Sequence, residues 1–479
     1  MPAQGSAGAG LRMGTPGGRR LLLATVLGSG MALLDTTVVN LALPTIGSDL
    51  GADVAGLQWT VTGYLLPLAS LILLGGSLGD RFGRRRVFGV GVVWFAVASL
   101  LCALAPTVEL LVAARALQGV GGALLTPGSL ALLSASFDPD DRGPAIGAWS
   151  GLTGVAAAAG PFVGGALLAV DWRLVFVVNL PVAVVVAVAL RRVSESADED
   201  APRRVDVTGA LTATTGLAGV TFALIEAPGR GLGPLVLTVG TVGLAALAAF
   251  VLVERRSPHP MLPLGLFASR QFTAANLVTA AVYAALGGVF LLLVVHLQVV
   301  AGYPALAAGL CLLPVTAAML TLSARWGALA ARTGPRLPMA GGPAVAALGV
   351  LLLLRIGPGA DPLVDVLPAV AVFGLGLSAT VAPLTATALG AVRVRYAGVA
   401  SGVNNAVARA AGLLAVAVLP VVSGLTGSDY TDPAAFAAGF RVAMGICAAL
   451  LALGGVLAAV LVSDAPDAVT GRRRTTGSA

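Results

Sequence analysis

Apolar stretches of membrane-spanning length follow one another along this 479-residue chain, separated by short loops rich in Arg, Gly and Pro. A helix needs about 20 apolar residues to cross the hydrocarbon core of a bilayer. The pattern predicts spans near 21–43, 57–79, 87–105, 108–134, 144–169, 174–190, 207–227, 235–253, 272–300, 305–327, 337–356, 363–390, 397–423 and 436–462. That is an all-α integral membrane protein of fourteen transmembrane helices, with the lipid bilayer as its solvent. Residues 1–20 lack an apolar core and precede a full-length span, so they read as a cytoplasmic tail and not as a signal peptide.

The placement of Arg orients the chain. With the N-terminus inside and an even span count, the inside segments hold Arg12, Arg19, Arg20, Arg81, Arg84 to Arg86, Arg142, Arg191, Arg192, Arg203, Arg204, Arg255, Arg256, Arg270, Arg332, Arg336, Arg393, Arg395 and Arg472 to Arg474. The outside loops hold Arg173, Arg230 and Arg355. This asymmetry predicts a multi-pass protein of the cell membrane with both termini cytoplasmic. It also accounts for the net charge of +7 as a topology signal, which argues against a nucleic-acid partner.

Composition removes whole classes of function. Hydrophobic residues make up 57% and charged residues 11% of the chain, and mean hydropathy is +0.94, outside the range of a soluble domain. Every basic residue apart from His is Arg, so there is neither a Walker A Lys nor a Schiff-base Lys. Two His and three scattered Cys offer no metal-site spacing. Cys102, Cys311 and Cys447 fall in apolar segments and are expected to pack as small hydrophobes. Neither a cofactor nor a metal is expected, and no catalytic constellation is visible, so the chain is not read as an enzyme.

An internal repeat divides the chain. Gly76-x-Leu78-x-Asp80-Arg81-x-Gly83-x-Arg85 follows the second span, and Gly327-x-Leu329-x-Ala331-Arg332-x-Gly334-x-Arg336 follows the tenth, displaced by 251 positions without a gap. Two related six-helix halves are therefore expected, as in many secondary transporters. The scheme is a tail at 1–20, a bundle at 21–190, a polar linker at 191–206, two inserted helices at 207–253, a cytoplasmic loop at 254–271, a second bundle at 272–462 and a tail at 463–479. The linker lacks periodicity and is expected to be mobile.

Polar residues at membrane depth are the candidates for function. Asp35 lies within the first span, where an unpaired carboxylate costs about 2.5–3.5 kcal/mol on insertion scales. Arg115 and Gln118 lie three residues apart on one face of span 4 and present Gly119 and Gly122 for close packing. An Arg there must find a carboxylate, carbonyls or water. In the loop after span 2, glycines permit close helix ends, and Asp80 can pair with Arg or cap a helix. Gly76, Asp80, Arg81, Gly83 and Arg84 there form a candidate conformational latch, the plainer alternative being a positive anchor.

Span 5 carries Gly160-Pro161-x-x-Gly164-Gly165, a bent helix with a thin face, and Trp172-Arg173-x-x-Phe176-x-x-Asn179-x-Pro181 opens span 6. With these motifs, Leu34-Asp35-x-Thr37-Val38-Val39-Asn40-x-Ala42-Leu43-Pro44, Leu297-Gln298 and Ser401-Gly402-x-Asn404-Asn405-x-x-x-Arg409, nearly the whole chain resembles the fourteen-helix drug:proton antiporters of the major facilitator superfamily. The resemblance implies that spans 1, 4, 9 and 12 line a central cavity, and that Gly160, Pro161, Gly164 and Gly165 form the antiporter motif. Departures are Ala331 in place of an acid, His296 in place of an aromatic, and Ala410-Ala411-Gly412 after Arg409.

The expected function is proton-coupled export of small amphipathic organic compounds by a monomer, as in drug or antibiotic efflux. Asp35 and Arg115 are the expected proton-coupling pair, facing a shared space. Asn40, Gln118, Gln298 and Asn404 are candidate cavity residues, although Asn40 lies about 140° around the helix from Asp35. A proton-coupled solute symporter is the alternative. No channel-type filter segment is present.

Overall fold

A computed structural model describes residues 11–196, 206–258, 260–392, 397–425 and 432–464, and the described residues form helices with no strand among them. The first group is α1 (Pro16–Leu50), α2 (Val54–Phe82), α3 (Arg84–Ala103), α4 (Val108–Ser136), α5 (Pro139–Leu168) and a broken segment, α6 (Leu174–Val177) with α7 (Asn179–Leu190). Next come α8 (Val207–Arg230) and α9 (Pro234–Arg256). The last group is α10 (Arg270–Val299), α11 (Ala305–Leu310), α12 (Leu313–Thr333), α13 (Arg336–Leu352), α14 (Leu367–Gly390), α15 (Ala397–Val422) and α16 (Pro433–Leu461).

Among the described residues, twelve helical segments are long and apolar enough to cross a membrane. Of the fourteen expected spans, α5 and the α6–α7 segment stand outside these twelve; the latter, at Leu174–Leu190, is apolar but shorter. Most of the linker expected to be mobile, 197–205, lies outside the described residues, as do Arg393, Arg395 and the last fifteen residues.

Helix ends follow local chemistry. α1 starts at Pro16, earlier than hydropathy suggests, because Thr15 accepts a hydrogen bond from the Gly18 amide and Pro16 fits the first helical turn. The expected tail is thereby shortened, and its residue Leu11 pairs its backbone with Ser136 and Asp138. Asp53 caps α2 and Asp432 caps α16 in the same way. Gly83 and Gly334, at φ 105° and 93°, make the sharp turns that separate α2 from α3 and α12 from α13.

Within the membrane there is no hydrophobic drive between helices, so close packing of small residues supplies much of the association. α4 presses Gly119 against the Tyr64 carbonyl of α2 and Gly121 against the Phe95 backbone of α3. On the other side of the molecule, Gly349 of α13 meets the Phe373 backbone and Gly376 of α14 meets Ala346. The two groups of helices touch along three lines. Gln298 of α10 donates to the Leu41 carbonyl of α1 at 3.2 Å, and Leu306 of α11 fills the space beside Gly165. Along α2 and α15, Gln58 donates to the Val416 carbonyl at 3.4 Å, while Leu73 rests on Gly402.

The inserted pair covers that last seam. α8 packs against both α2 and α15, with α9 on its outer side. Trp59 Nε1 of α2 donates to Glu226 Oε1 at 2.9 Å, and Glu226 pairs with Arg230 at 2.6 Å.

Two substitutions separate close packing from helix propensity. Gly119→Ala should lower the thermal midpoint of the detergent-purified protein, with a cost of about 1–3 kcal/mol for forcing a methyl against the Tyr64 backbone. Gly445→Ala on α16, where nothing lies within 4 Å of the added carbon, should be neutral or mildly stabilising. Equal midpoints for the two variants would contradict the packing argument.

Candidate functional site

Asp35 and Arg115 meet in the core of the first helical group. Asp35 comes from α1, Arg115 and Gln118 from α4, Ser99 from α3, Thr60 and Tyr64 from α2, and Asn179 from the first turn of α7. Arg115 Nη1 donates to Asp35 Oδ2 and to Gln118 Oε1, both at 2.5 Å. Its Nε donates to the Thr60 carbonyl at 3.1 Å, and the guanidinium lies 4.4 Å from the centre of the Tyr64 ring. Gln118 Nε2 donates to Asp35 Oδ1 and Ser99 Oγ, both at 2.8 Å. Asn179 Nδ2 approaches the same two oxygens at 3.3 Å.

The arrangement is closed. Asp35 is 0% and Arg115 1% exposed, and Gln118, Ser99 and Asn179 are equally buried. The pair expected to face a shared space is instead in direct contact, with Tyr64 on one side and Phe176, 5.9 Å from the guanidinium, on another. Both oxygens of the carboxylate are satisfied by donors from two other elements. Removing one partner from such a buried pair costs about 3–5 kcal/mol, because the other charge is left stranded.

The span 5 glycines support this site from outside. Gly160 fits against Thr37 and Gly164 against Val38, the α1 residues just after Asp35. The side chain of Pro161 lies outside the described residues.

The remaining candidates fall elsewhere. Asn40 is half-buried on α1 and makes no contact with Asp35 among the hydrogen bonds of the described residues. Gln298 bonds to Leu41, across the line between the two helical groups. Asn404 is buried and donates to Asn276 Oδ1 at 3.2 Å and Thr279 Oγ1 at 2.8 Å, which ties α15 to α10. His296 does the work of the aromatic it replaces. Its ring stacks on Phe440 at 3.9 Å, with Nε2 3.0 Å from the Ile356 carbonyl.

The two repeated loops share a feature that residue patterns did not reveal. Asp80 pairs with Arg84 at 2.8 Å, and Arg81 lies over the Phe82 ring. Glu195, just beyond α7, accepts from the Arg85 and Arg86 amides at 3.0 and 3.2 Å and thus caps α3. Asp464, just beyond α16, accepts from the Arg336 amide at 2.9 Å and caps α13. Each carboxylate packs where a side chain on Gly83 or Gly334 would stand. Arg85 and Arg336 then reach the Val193 and Ala459 carbonyls at 2.8 and 2.7 Å.

Reading the sequence missed Ser99, Thr60, Tyr64, Asn179, Glu195 and Asp464 as parts of these sites. For Asn179 a signal existed: an amide near the start of an apolar span needs a polar partner at depth. Glu195 and Asp464 gave none, since each reads as one more loop acid.

Known proteins match this chain over most of its length. The family model of the Major Facilitator Superfamily matches residues 25–416. The puromycin resistance protein pur8 of Streptomyces alboniger is 37% identical over 452 residues, covering 91% of this chain and 90% of that protein. The tetracenomycin C resistance and export protein of Streptomyces glaucescens is 37% identical over 410 residues, covering 84% and 75%. The methylenomycin A resistance protein of Bacillus subtilis is 32% identical, covering 91% and 93%. Among solved structures, an inward-facing bacterial homologue of the lysosomal transporter Spinster aligns with a TM-score of 0.66 at 17% identity, covering 93% of this chain and 97% of that one. The inward-open xylose transporter XylE of E. coli aligns at 0.62 and 15% identity, with the same coverage. This chain is a membrane transporter and belongs to the Major Facilitator Superfamily.

Proposed function

We propose that this protein exports small amphipathic organic compounds, of the kind handled by drug and antibiotic efflux proteins, in exchange for protons by alternating access. The observation that carries the reading is the buried Asp35–Arg115 pair, with Gln118 and Asn179 on the same carboxylate. Resistance and export proteins among the relatives support the direction of transport.

The chemistry follows from the geometry. Asp35 is fully buried and takes hydrogens from Arg115, Gln118 and Asn179, so loading a proton there requires the site to open and weakens the hold of Arg115. Arg115 keeps alternative acceptors in the Thr60 carbonyl and Gln118, so it is not stranded when the acid is neutralised. Protonation of Asp35 therefore couples to movement of α1 against α4. The Gly160 and Gly164 contacts with Thr37 and Val38 pass that movement on to α5. In this scheme fourteen helices span the cell membrane, both termini are cytoplasmic, the protein acts as a monomer, and the loops around Asp80 and Glu195 latch one state. One charge crossing ~180 mV yields about 4 kcal/mol, roughly three decades of gradient for a neutral cargo.

Asp35→Asn keeps the shape of the site and removes titration. In liposomes with only a pH difference imposed, this variant should lose uphill efflux, while exchange of cargo down its own gradient persists. Uphill transport by the folded variant would place coupling elsewhere.

Arg115→Lys keeps the charge but puts a single nitrogen where Nε and Nη1 of a rigid fork reach the Thr60 carbonyl, Asp35 and Gln118 from separate points. Transport should fall at least tenfold, with normal membrane insertion. A wild-type rate would reduce Arg115 to a counter-ion.

For the latch, Glu195→Gln and Asp464→Asn should shift the balance between inward- and outward-open states by similar amounts, read by spin-label distances across each half. Ala331→Asp should change little beside Asp80→Asn, because only the first loop holds an acid to pair with Arg84. A large shift from Ala331→Asp would count against that asymmetry.

A further inference from the structure

Arg115 is accounted for by its partners, but a second deep arginine is not. Arg409 lies at the middle of α15 (Ala397–Val422), about 18 Å along the helix from either end. It is half-buried and makes neither a hydrogen bond nor an ion pair with any described residue. Among the described residues, Asp35 is the only carboxylate more than about two turns from a helix end, and Arg115 already takes it. Protein groups near Arg409 therefore supply no counter-charge, and a guanidinium at this depth is costly without one.

Its position is on the seam between the two helical groups. Residues 402, 409 and 416 are seven apart and share one face of α15 to within about 40°. Gly402 meets Leu73 and Val416 meets Gln58, so this face looks at α2 and Arg409 stands midway between the two contacts. One turn on, Gly412 faces the Tyr283 carbonyl and Gly287 of α10. Arg409 accordingly stands where α15 packs against both α2 and α10.

We infer that Arg409 is the anchor for an anionic group on the cargo, a carboxylate, phenolate or enolate oxygen, on the side of α15 that meets α2 and α10. The inference rests on the export reading and adds the sign of the cargo's charge. With Asp35 and Arg115 cancelling each other, the uncompensated charge between the halves is positive, which disfavours organic cations. A guanidinium fork suits planar two-oxygen acceptors.

The test compares two dyes built on the same ring system, fluorescein as the anion and rhodamine 123 as the cation, binding to the full-length detergent-purified protein by fluorescence anisotropy. The wild type should bind fluorescein more tightly than rhodamine 123. Arg409→Gln should weaken fluorescein binding about tenfold or more and move rhodamine 123 by less than about twofold, as expected for loss of one charge-assisted bond. Arg409→Lys should recover part of the loss. The thermal midpoint of Arg409→Gln should equal or exceed that of the wild type, because no protein partner is lost. Absence of fluorescein binding to the wild type, equal loss of both dyes, unchanged fluorescein affinity in Arg409→Gln, or a lowered midpoint each overturn the assignment. Efflux from liposomes is scored separately. Failure to move either dye would count against export, while the binding data decide the charge preference on their own.

Discussion

A carboxylate in the middle of a membrane helix has to be neutralised, solvated or removed, and the whole first group of helices is arranged around meeting that demand for Asp35. Its oxygens take hydrogens from Arg115, Gln118 and Asn179, on α4 and α7. Arg115 in turn needs the Thr60 carbonyl and the Tyr64 face, which α2 provides. Ser99 of α3 ties the two amides together. Five helical elements are thus fixed relative to each other by one charge. The glycines of α4 are a consequence, since α2 and α3 must come close enough for these short hydrogen bonds.

Such a network holds its members through several acceptors each. Every donor around Asp35 has a second acceptor already in reach: Gln118 and the Thr60 carbonyl for Arg115, Ser99 for both amides. Losing the negative charge therefore leaves few groups unpaired, and unpaired groups are what makes a buried rearrangement expensive. An apolar core would have packed as stably here, and in the proposed exchange the polar network is what offers a second arrangement.

Much of this was legible in the residues. Hydropathy located twelve membrane-length helices, because a span must be apolar whatever its neighbours do. Asp35 and Arg115 stand out because a charge at depth is rare for a physical reason, and the two are in direct contact. The displaced loop motif marked two turns that are capped alike. What escaped were partners chosen by tertiary approach. Glu195 lies 112 residues beyond Gly83 and Asp464 lies 130 beyond Gly334, and nothing local marks an acid as the cap of a distant helix. Helix limits also shifted where caps, not hydropathy, decide them, as at Thr15 and Pro16. The break at Val178 between α6 and α7, which sets Asn179 at the start of its helix, leaves the sixth segment shorter than its apolar run implied.

The two groups of helices share a scaffold but differ in charge. Their loops are capped alike, by Glu195 on one side and Asp464 on the other, so the repeat survives where mechanical closure of helix ends is needed. At membrane depth the likeness ends. The first group holds an acid and a base that satisfy each other, and the second holds Asn276, Thr279 and Asn404 bonded together, with Arg409 left over. In the proposed scheme a proton carrier and a cargo anchor make opposite demands: the carrier must be shielded until it is exchanged, and the anchor must be unoccupied by protein. Both demands can be met in one molecule only if they fall on different helices. Helix α2 touches both regions, with the Tyr64 ring under Arg115 and with Gln58 and Leu73 against α15.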